Sequence, residues 1–136
     1  MADTLQLELV SPERLLLSEQ VEMVTVPGTE GYFGVLPKHS PVISTLRPGV
    51  IDVYRGGAVS QQYFVAGGFA EVNASGVTVL VDEAVPVAEI SKAKADERRA
   101  AAQAQLDKAA SDDEKRRATQ ALRIAEEMAA VAGRAA

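Results

Sequence analysis

Apolar and polar positions alternate from the start of the chain. In TLQLELV, Leu5, Leu7 and Leu9 fall on one face and Thr4, Gln6 and Glu8 on the other. A period of two predicts a half-buried β-strand. The segments VEMVTV, VIDVYR, QQYFVA, FAEV and VTVLVD are similar short runs. Turn signals separate them: SPE, PGTEG, RPG, RGG, GG and NASG. Such runs, spaced by roughly 8–12 residues, predict a β-sandwich or barrel. This body is assigned to residues 1–88.

The pattern changes abruptly near Glu89. Beyond it there is no proline and a single glycine, Gly133, and residues 91–136 hold sixteen alanines among many Lys, Arg, Glu and Gln. These are strong helix formers. Ser111 and Glu114 in SDDE make a capping box that divides the segment. Two helices are predicted, about 91–110 and 112–132, with Ser91 as N-cap of the first. Asp112 and Asp113 lie in the second helix's first turn, where its dipole favours acid. They are spaced to pair at i,i+4 with Arg116 and Arg117. The fold class is therefore mainly β plus α: an N-terminal β-sandwich of about ten short strands, then a C-terminal antiparallel two-helix hairpin over residues 89–136.

The hairpin has little to bury. Its large apolar residues are Leu106, Leu122, Ile124, Met128 and Val131. Alanine favours the helix and lets two helices approach closely, but it contributes little burial. The expectation is an element with strong helical habit and weak docking, able to leave the body while staying helical.

Composition narrows the function. At 136 residues the chain is one domain or two very small ones. It has no cysteine, which excludes a disulfide framework, a thiolate zinc site and a Cys nucleophile. No run of about 18 apolar residues exists to span a membrane. The N-terminus MADTLQLELV shows no basic n-region, so no signal peptide is expected. The net charge of −5 is unevenly placed. Residues 1–90 carry four basic against eleven acidic side chains, and residues 91–136 carry ten against eight. An acidic body argues against nucleic acid, and the basic excess of the tail suits a small acidic partner surface.

The densest turn chemistry lies in PGTEGYFGVLPKHSPVISTLRPG, residues 27–49, with four glycines, four prolines and the one histidine of the chain. Gly28 after Pro27 predicts a type II turn with positive φ. Gly31 and Gly34 allow tight reversal, and Pro37 and Pro41 suit an edge that must not recruit another strand. Tyr32 and Phe33 fall at the predicted loop tip, as a partner's anchor or with one of them in the core. An active site finds no support in the inventory. There is no phosphate-binding P-loop, GxSxG elbow or metal-ligand cluster. His39 beside Ser40 is no triad, because neighbours on an extended chain point opposite ways. Glu30, Asp82 and Glu83 have nothing in the sequence to bring them together.

These residues resemble a known family. The stretch at 27–49, followed by VAGGFAEV at 65–72 and VTVLVDEAV at 77–85, is similar to the epsilon subunit of F-type ATP synthases. The pattern G-x-x-G-x-x-G-V-L-P-x-H-x-P, then L-x-P-G, then G-G-F-x-E-V, appears in family order, and the resemblance extends through the alanine-rich tail. It implies a non-catalytic rotor subunit with no cofactor. Its sandwich would bind the gamma subunit and the membrane-embedded ring of c subunits, coupling proton flow to the catalytic head. By resemblance, Gly28, Thr29, Glu30, Gly31, Tyr32 and Phe33 would face the c-ring, and His39, Pro41, Val42 and Thr45 would face gamma. The tail resembles the regulatory hairpin that restrains ATP hydrolysis by meeting the alpha and beta subunits. Lys108, Lys115, Arg116, Arg117 and Arg123 would make those contacts. Some family members bind regulatory ATP through I/L-D-x-x-R-A. Here Ile90 is kept, but Ser91 and Lys94 replace the acid and the arginine, and Glu127 follows Arg123 by four residues, so weak or absent nucleotide affinity is expected. The start of the chain directly at the sandwich points to a bacterial protein, peripheral on the cytoplasmic face of the inner membrane. The competing reading is a free-standing sandwich module for a peptide or sugar with a helical interaction tail. Five large apolar residues across two helices are too few for a dimerising coiled coil.

Overall fold

The computed structural model describes residues 3–134. The strands are β1 (Leu5–Ser11), β2 (Arg14–Val21), β3 (Met23–Gly28), β4 (Gly31–Val35), β5 (Val42–Leu46), β6 (Gly49–Arg55), β7 (Ala58–Val65), β8 (Gly68–Asn73), β9 (Gly76–Val81) and β10 (Ala84–Pro86). A 3-10 turn at Val87–Glu89 leads to helices α1 (Lys92–Lys108) and α2 (Asp112–Arg134). The expected class, a strand-rich sandwich followed by a helical hairpin, is the observed one. The chain divides into two compact units, one ending at Pro86 and one beginning at Val87.

In the first unit, hydrogen bonds connect the strands in the order β10-β7-β6-β3-β5-β8-β9-β1-β2, with β4 on β3. Every pairing is antiparallel except β1 with β9. The sheet curls so that its inward face closes one core. Leu5, Leu7 and Leu9 of β1 enter it with Val24 and Val26 of β3, Ile51 and Val53 of β6, and Val77 and Val79 of β9. Alternation on each strand selects this set, and the β-branched side chains suit the pleated surface.

Several strands lie outside the alternating runs. Within β2, Leu15, Leu16 and Leu17 are consecutive, so no period of two is visible. A register shift opposite Leu9 and Val10 lets both Leu16 and Leu17 pack on the core. β4 and β5 lie inside the stretch read as turns. The segment Gly28–Phe33 is a β3–β4 hairpin, with Tyr32 paired to Pro27 and Phe33 to Val26. Gly28 does not take the positive φ of a type II turn; among the described glycines of this hairpin that conformation belongs to Gly31, at 137°. Gly28 is needed for close approach instead, since a Cβ there would stand 2.8 Å from the Gly31 carbonyl oxygen and 3.0 Å from the Phe33 ring.

The second unit is a helical pair joined by three residues, 109–111. Ser91 is the N-cap of α1, its hydroxyl accepting the Lys94 N–H at 3.3 Å. Ser111 caps α2 in the same way, accepting the Glu114 N–H at 3.1 Å, and its hydroxyl donates to the Glu114 carboxylate at 3.3 Å. Arg116 pairs with Asp113 at i,i+3, 2.7 Å, rather than with Asp112 at i,i+4. The buried positions of α1 are Ala95 and Ala102, and those of α2 include Ala118, Ala125 and Ala129. Small side chains at seven-residue spacing let the helices approach closely.

Candidate functional site

The outward face of the body departs from an ordinary solvated sheet. Phe69 in β8 is opposite Leu80 in β9, Leu80 is opposite Val10 in β1, and Val10 is opposite Leu15 in β2. Thr45 in β5 extends this row beyond Phe69. Phe69, Leu80 and Leu15 are each about half exposed, and Ile43, two residues before Thr45, is 73% exposed. The neighbouring row reads Ile43, Glu71, Thr78, Glu8 and Ser18. An apolar band four strands wide, extended by Thr45 on a fifth, therefore runs beside two carboxylates in the adjacent row of one sheet face. A contiguous exposed band rimmed by charge marks a protein contact.

At one end of the band stands the β3–β4 hairpin. Its tip residues Thr29 and Glu30 are exposed. Thr29 N–H donates to the Thr45 carbonyl at 3.0 Å, and Arg47 N–H donates to the Pro27 carbonyl at 2.9 Å. A depression of about 440 Å³ lies between tip and β5, walled by Phe33, Val42 and Ile43 and rimmed by Glu30, His39 and Ser44. Of the residues placed at the tip and around His39, Gly28, Thr29, Glu30, Gly31, Phe33, His39 and Val42 meet at this depression, whereas Tyr32, Pro41 and Thr45 do not line it. Phe33 also packs against the core and is not a tip residue. Tyr32 stays half exposed, but its hydroxyl accepts the Val50 N–H at 3.2 Å. Pro41 is exposed just before β5.

His39 closes a turn. Its backbone N–H donates to the Leu36 carbonyl at 3.2 Å, and its Nδ1–H donates to the Ser40 carbonyl at 2.7 Å. Lys38 takes a left-handed φ of 65°, and its N–H donates to the Ala74 carbonyl at 3.3 Å. The imidazole is thereby tied to its own loop rather than to a nucleophile. Among the described residues no group of three or more His, Asp or Glu is arranged to hold a metal ion. No described helix is long and apolar enough to cross a membrane.

On the helical unit, Lys115, Arg116, Arg117 and Arg123 gather around a shallow surface of α2. Lys108 of α1 meets Arg117 across a second depression with Gln105 and Glu114. Ile90, Ser91 and Lys94 lie at the start of α1. The Ser91 hydroxyl is occupied as an N-cap, and Lys94 is exposed.

The apolar band carried a sequence signal that strand alternation alone overlooked. In VTVLV, Leu80 occupies a position where the period of two calls for a polar side chain, and Phe69 does so in FAEV. Their side-by-side placement needs the strand register.

Comparisons with known proteins agree on one family. Residues 4–87 match the family described as ATP synthase, Delta/Epsilon chain, beta-sandwich domain. An ATP synthase epsilon chain of Paramagnetospirillum magneticum is 54% identical over 130 residues, 96% of this chain and 98% of the relative. One from Rhodospirillum rubrum is 55% identical over 130 residues, 96% and 97% of the two chains. Among solved structures, a chain of the Euglena gracilis mitochondrial ATP synthase OSCP/F1/c-ring assembly superposes with a TM-score of 0.78 at 32% identity, covering 93% of this chain and 80% of that one. A chain of the Tetrahymena thermophila mitochondrial ATP synthase central stalk/c-ring shares the fold, with a TM-score of 0.63 at 14% identity over 93% of this chain and 97% of that one.

Proposed function

Because this chain belongs to the ATP synthase delta/epsilon family, we propose that it is a central-stalk protein holding the gamma subunit to the ring of c subunits. The observation that carries this reading is the apolar band with its acidic neighbouring row. Ile43, Phe69, Leu80 and Leu15 give a partner apolar area, and Glu71 and Glu8 select for basic side chains beside it. The band is the gamma face, continuous with His39, Pro41, Val42 and Thr45. The hairpin tip at Thr29 and Glu30, backed by Gly28, Gly31, Tyr32 and Phe33, is the ring face. The chain itself transfers no group and uses no cofactor; its work is mechanical. A sheet suits that work because preformed surfaces lose less entropy on binding.

The helical unit is the regulatory element of this reading. Lys108, Lys115, Arg116, Arg117 and Arg123 offer cations to acidic segments of the alpha and beta subunits and so restrain hydrolysis. Regulatory ATP is bound weakly or not at all, since Ser91 is spent on capping and Lys94 lacks the fork of an arginine. In this reading the chain is peripheral, on the cytoplasmic face of a bacterial inner membrane.

The test is affinity for purified gamma. Replacing Phe69 and Leu80 together by aspartate is expected to weaken binding about 100-fold, as loss of a central apolar anchor does. Equal affinity of the variant and the unaltered chain would refute the band as the gamma face. Removal of residues 90–136 is expected to raise ATP hydrolysis by the reconstituted complex; unchanged hydrolysis would refute the regulatory role.

A further inference from the structure

Tyr32 and Arg47 do not project freely. The Arg47 guanidinium carbon lies 5.0 Å from the centroid of the Tyr32 ring. Arg47 Nε–H donates to the Gly28 carbonyl at 3.2 Å. The Tyr32 hydroxyl crosses to β6 and accepts the Val50 N–H at 3.2 Å. Two backbone bonds reinforce this, from Thr29 N–H to the Thr45 carbonyl at 3.0 Å and from Arg47 N–H to the Pro27 carbonyl at 2.9 Å. Gly49 sits beneath the arrangement, since a Cβ there would stand 2.7 Å from the Tyr32 hydroxyl and 2.8 Å from Pro27 Cβ. The β3–β4 tip is thus stitched to the last residues of β5 and the first of β6 by groups from both sides.

From this geometry we propose that Tyr32, Arg47 and Gly49 form a clasp that fixes the ring-facing tip to the gamma-facing strands, making Tyr32 and Arg47 positioning residues for torque transfer. The proposal rests on the reading of those two faces given above. A two-stranded hairpin alone is compliant. Held by the clasp, the tip cannot swing without breaking the Arg47 bond to Gly28, the stacking of cation on ring and the Tyr32 bond to Val50. Load applied at Thr29 and Glu30 is then delivered to β5 and β6 rather than absorbed in the turn. The stacking cation and the hydroxyl bond also explain why a half-exposed tyrosine stands here. Its ring is a brace against Arg47, and its polar end is already in use.

The experiment compares the unaltered chain with Arg47→Ala and Gly49→Ala, each reconstituted in vesicles into the complete ATP synthase complex, catalytic head included. Three quantities are read: incorporation, thermal midpoint of the isolated chain, and protons pumped per ATP hydrolysed. The clasp predicts that Arg47→Ala lowers the pumping ratio about twofold or more at matched incorporation and midpoint, since coupling depends on the placement of preorganised contacts. Gly49→Ala, which pushes the Tyr32 hydroxyl off Val50, is expected to lower it in the same direction. Amide exchange at Val50 in the isolated Tyr32→Phe chain is expected to quicken about tenfold, the protection of a local hydrogen bond. An unchanged pumping ratio in Arg47→Ala overturns the clasp, as does unchanged Val50 exchange in Tyr32→Phe. Failure of the unaltered chain to bind gamma or the ring would overturn the functional reading instead, and the two failures are distinguishable.

Discussion

The body closes around valine, leucine and isoleucine, whereas the helical pair buries mostly alanine, with Met128 and Val131 as its large buried side chains. Sixteen buried residues of the strands form one cluster, with Val21, Val24, Val26, Val35, Val53, Val65, Ala70 and Val79 wholly removed from solvent. The described buried residues of α1 are two alanines. A buried methyl removes far less apolar surface from water than an isobutyl group. The strands are also knitted by ladders between residues distant in sequence, whereas each helix satisfies its hydrogen bonds within itself. One unit is therefore stable because its parts hold one another. The other keeps its secondary structure through local propensity and capping. This difference is what the proposed coupling surface and the proposed regulatory element would each require.

The comparison can be broken first in the body. Val79→Asp puts an unpaired carboxylate at a position with no solvent exposure, and it is expected to cost more than about 4 kcal/mol. Urea unfolding followed by far-ultraviolet dichroism should show loss of the strand signal while helical signal survives. Loss of both signals together would contradict the independence of the two units' cohesion.

A smaller effect is expected in the helical pair. Ala125→Leu overfills a wholly buried position and is expected to cost about 1–3 kcal/mol. Amide exchange should quicken in α1 and α2 and stay unchanged in β1, β3 and β9. In the unaltered chain the same measurement should find the helices exchanging faster than those strands. Equal protection of both would remove the contrast.

Smaller again is Ser111→Ala, which removes the hydroxyl that accepts the Glu114 N–H. It is expected to cost about 1 kcal/mol of helical stability, read as a lower thermal midpoint of the helical signal. Least is Arg116→Ala. Its pair with Asp113 is about three-quarters exposed on both sides and should change stability by no more than about 0.5 kcal/mol. A larger loss would show that the pair belongs to a wider network.

Much of this architecture was legible before any coordinates, for physical reasons that differ by region. Helix propensity and capping act over a few residues, so Ser91 and Ser111 could be read as caps and the helices placed almost to the residue. Alternation marked β1, β3, β6, β8 and β9 because one face of each is buried; the run QQYFVA marked β7, although only the neighbours Phe64 and Val65 of that strand are buried. It failed for β2, where a register shift let neighbouring leucines share the core, and for β4 and β5, where glycine and proline mask the period. The positive φ expected at Gly28 belonged to Gly31, because the chain turns one strand pairing later than the Pro-Gly pair suggests.

By itself, then, the order of residues determined the two-part division, the helical pair, the alternating strands and the family pattern, all of which follow from near-neighbour chemistry. Tertiary structure alone decided the apolar band and the clasp. Phe69, Leu80, Val10 and Leu15 become neighbours only through the register of four strands. Tyr32 reaches Val50 because β4 and β6 both fold against β3, and Arg47 reaches Gly28 because the end of β5 does, with Leu46 opposite Gly28. Contacts between residues distant along the chain are set by how strands pair, and pairing is a property of the whole sheet rather than of any segment in it.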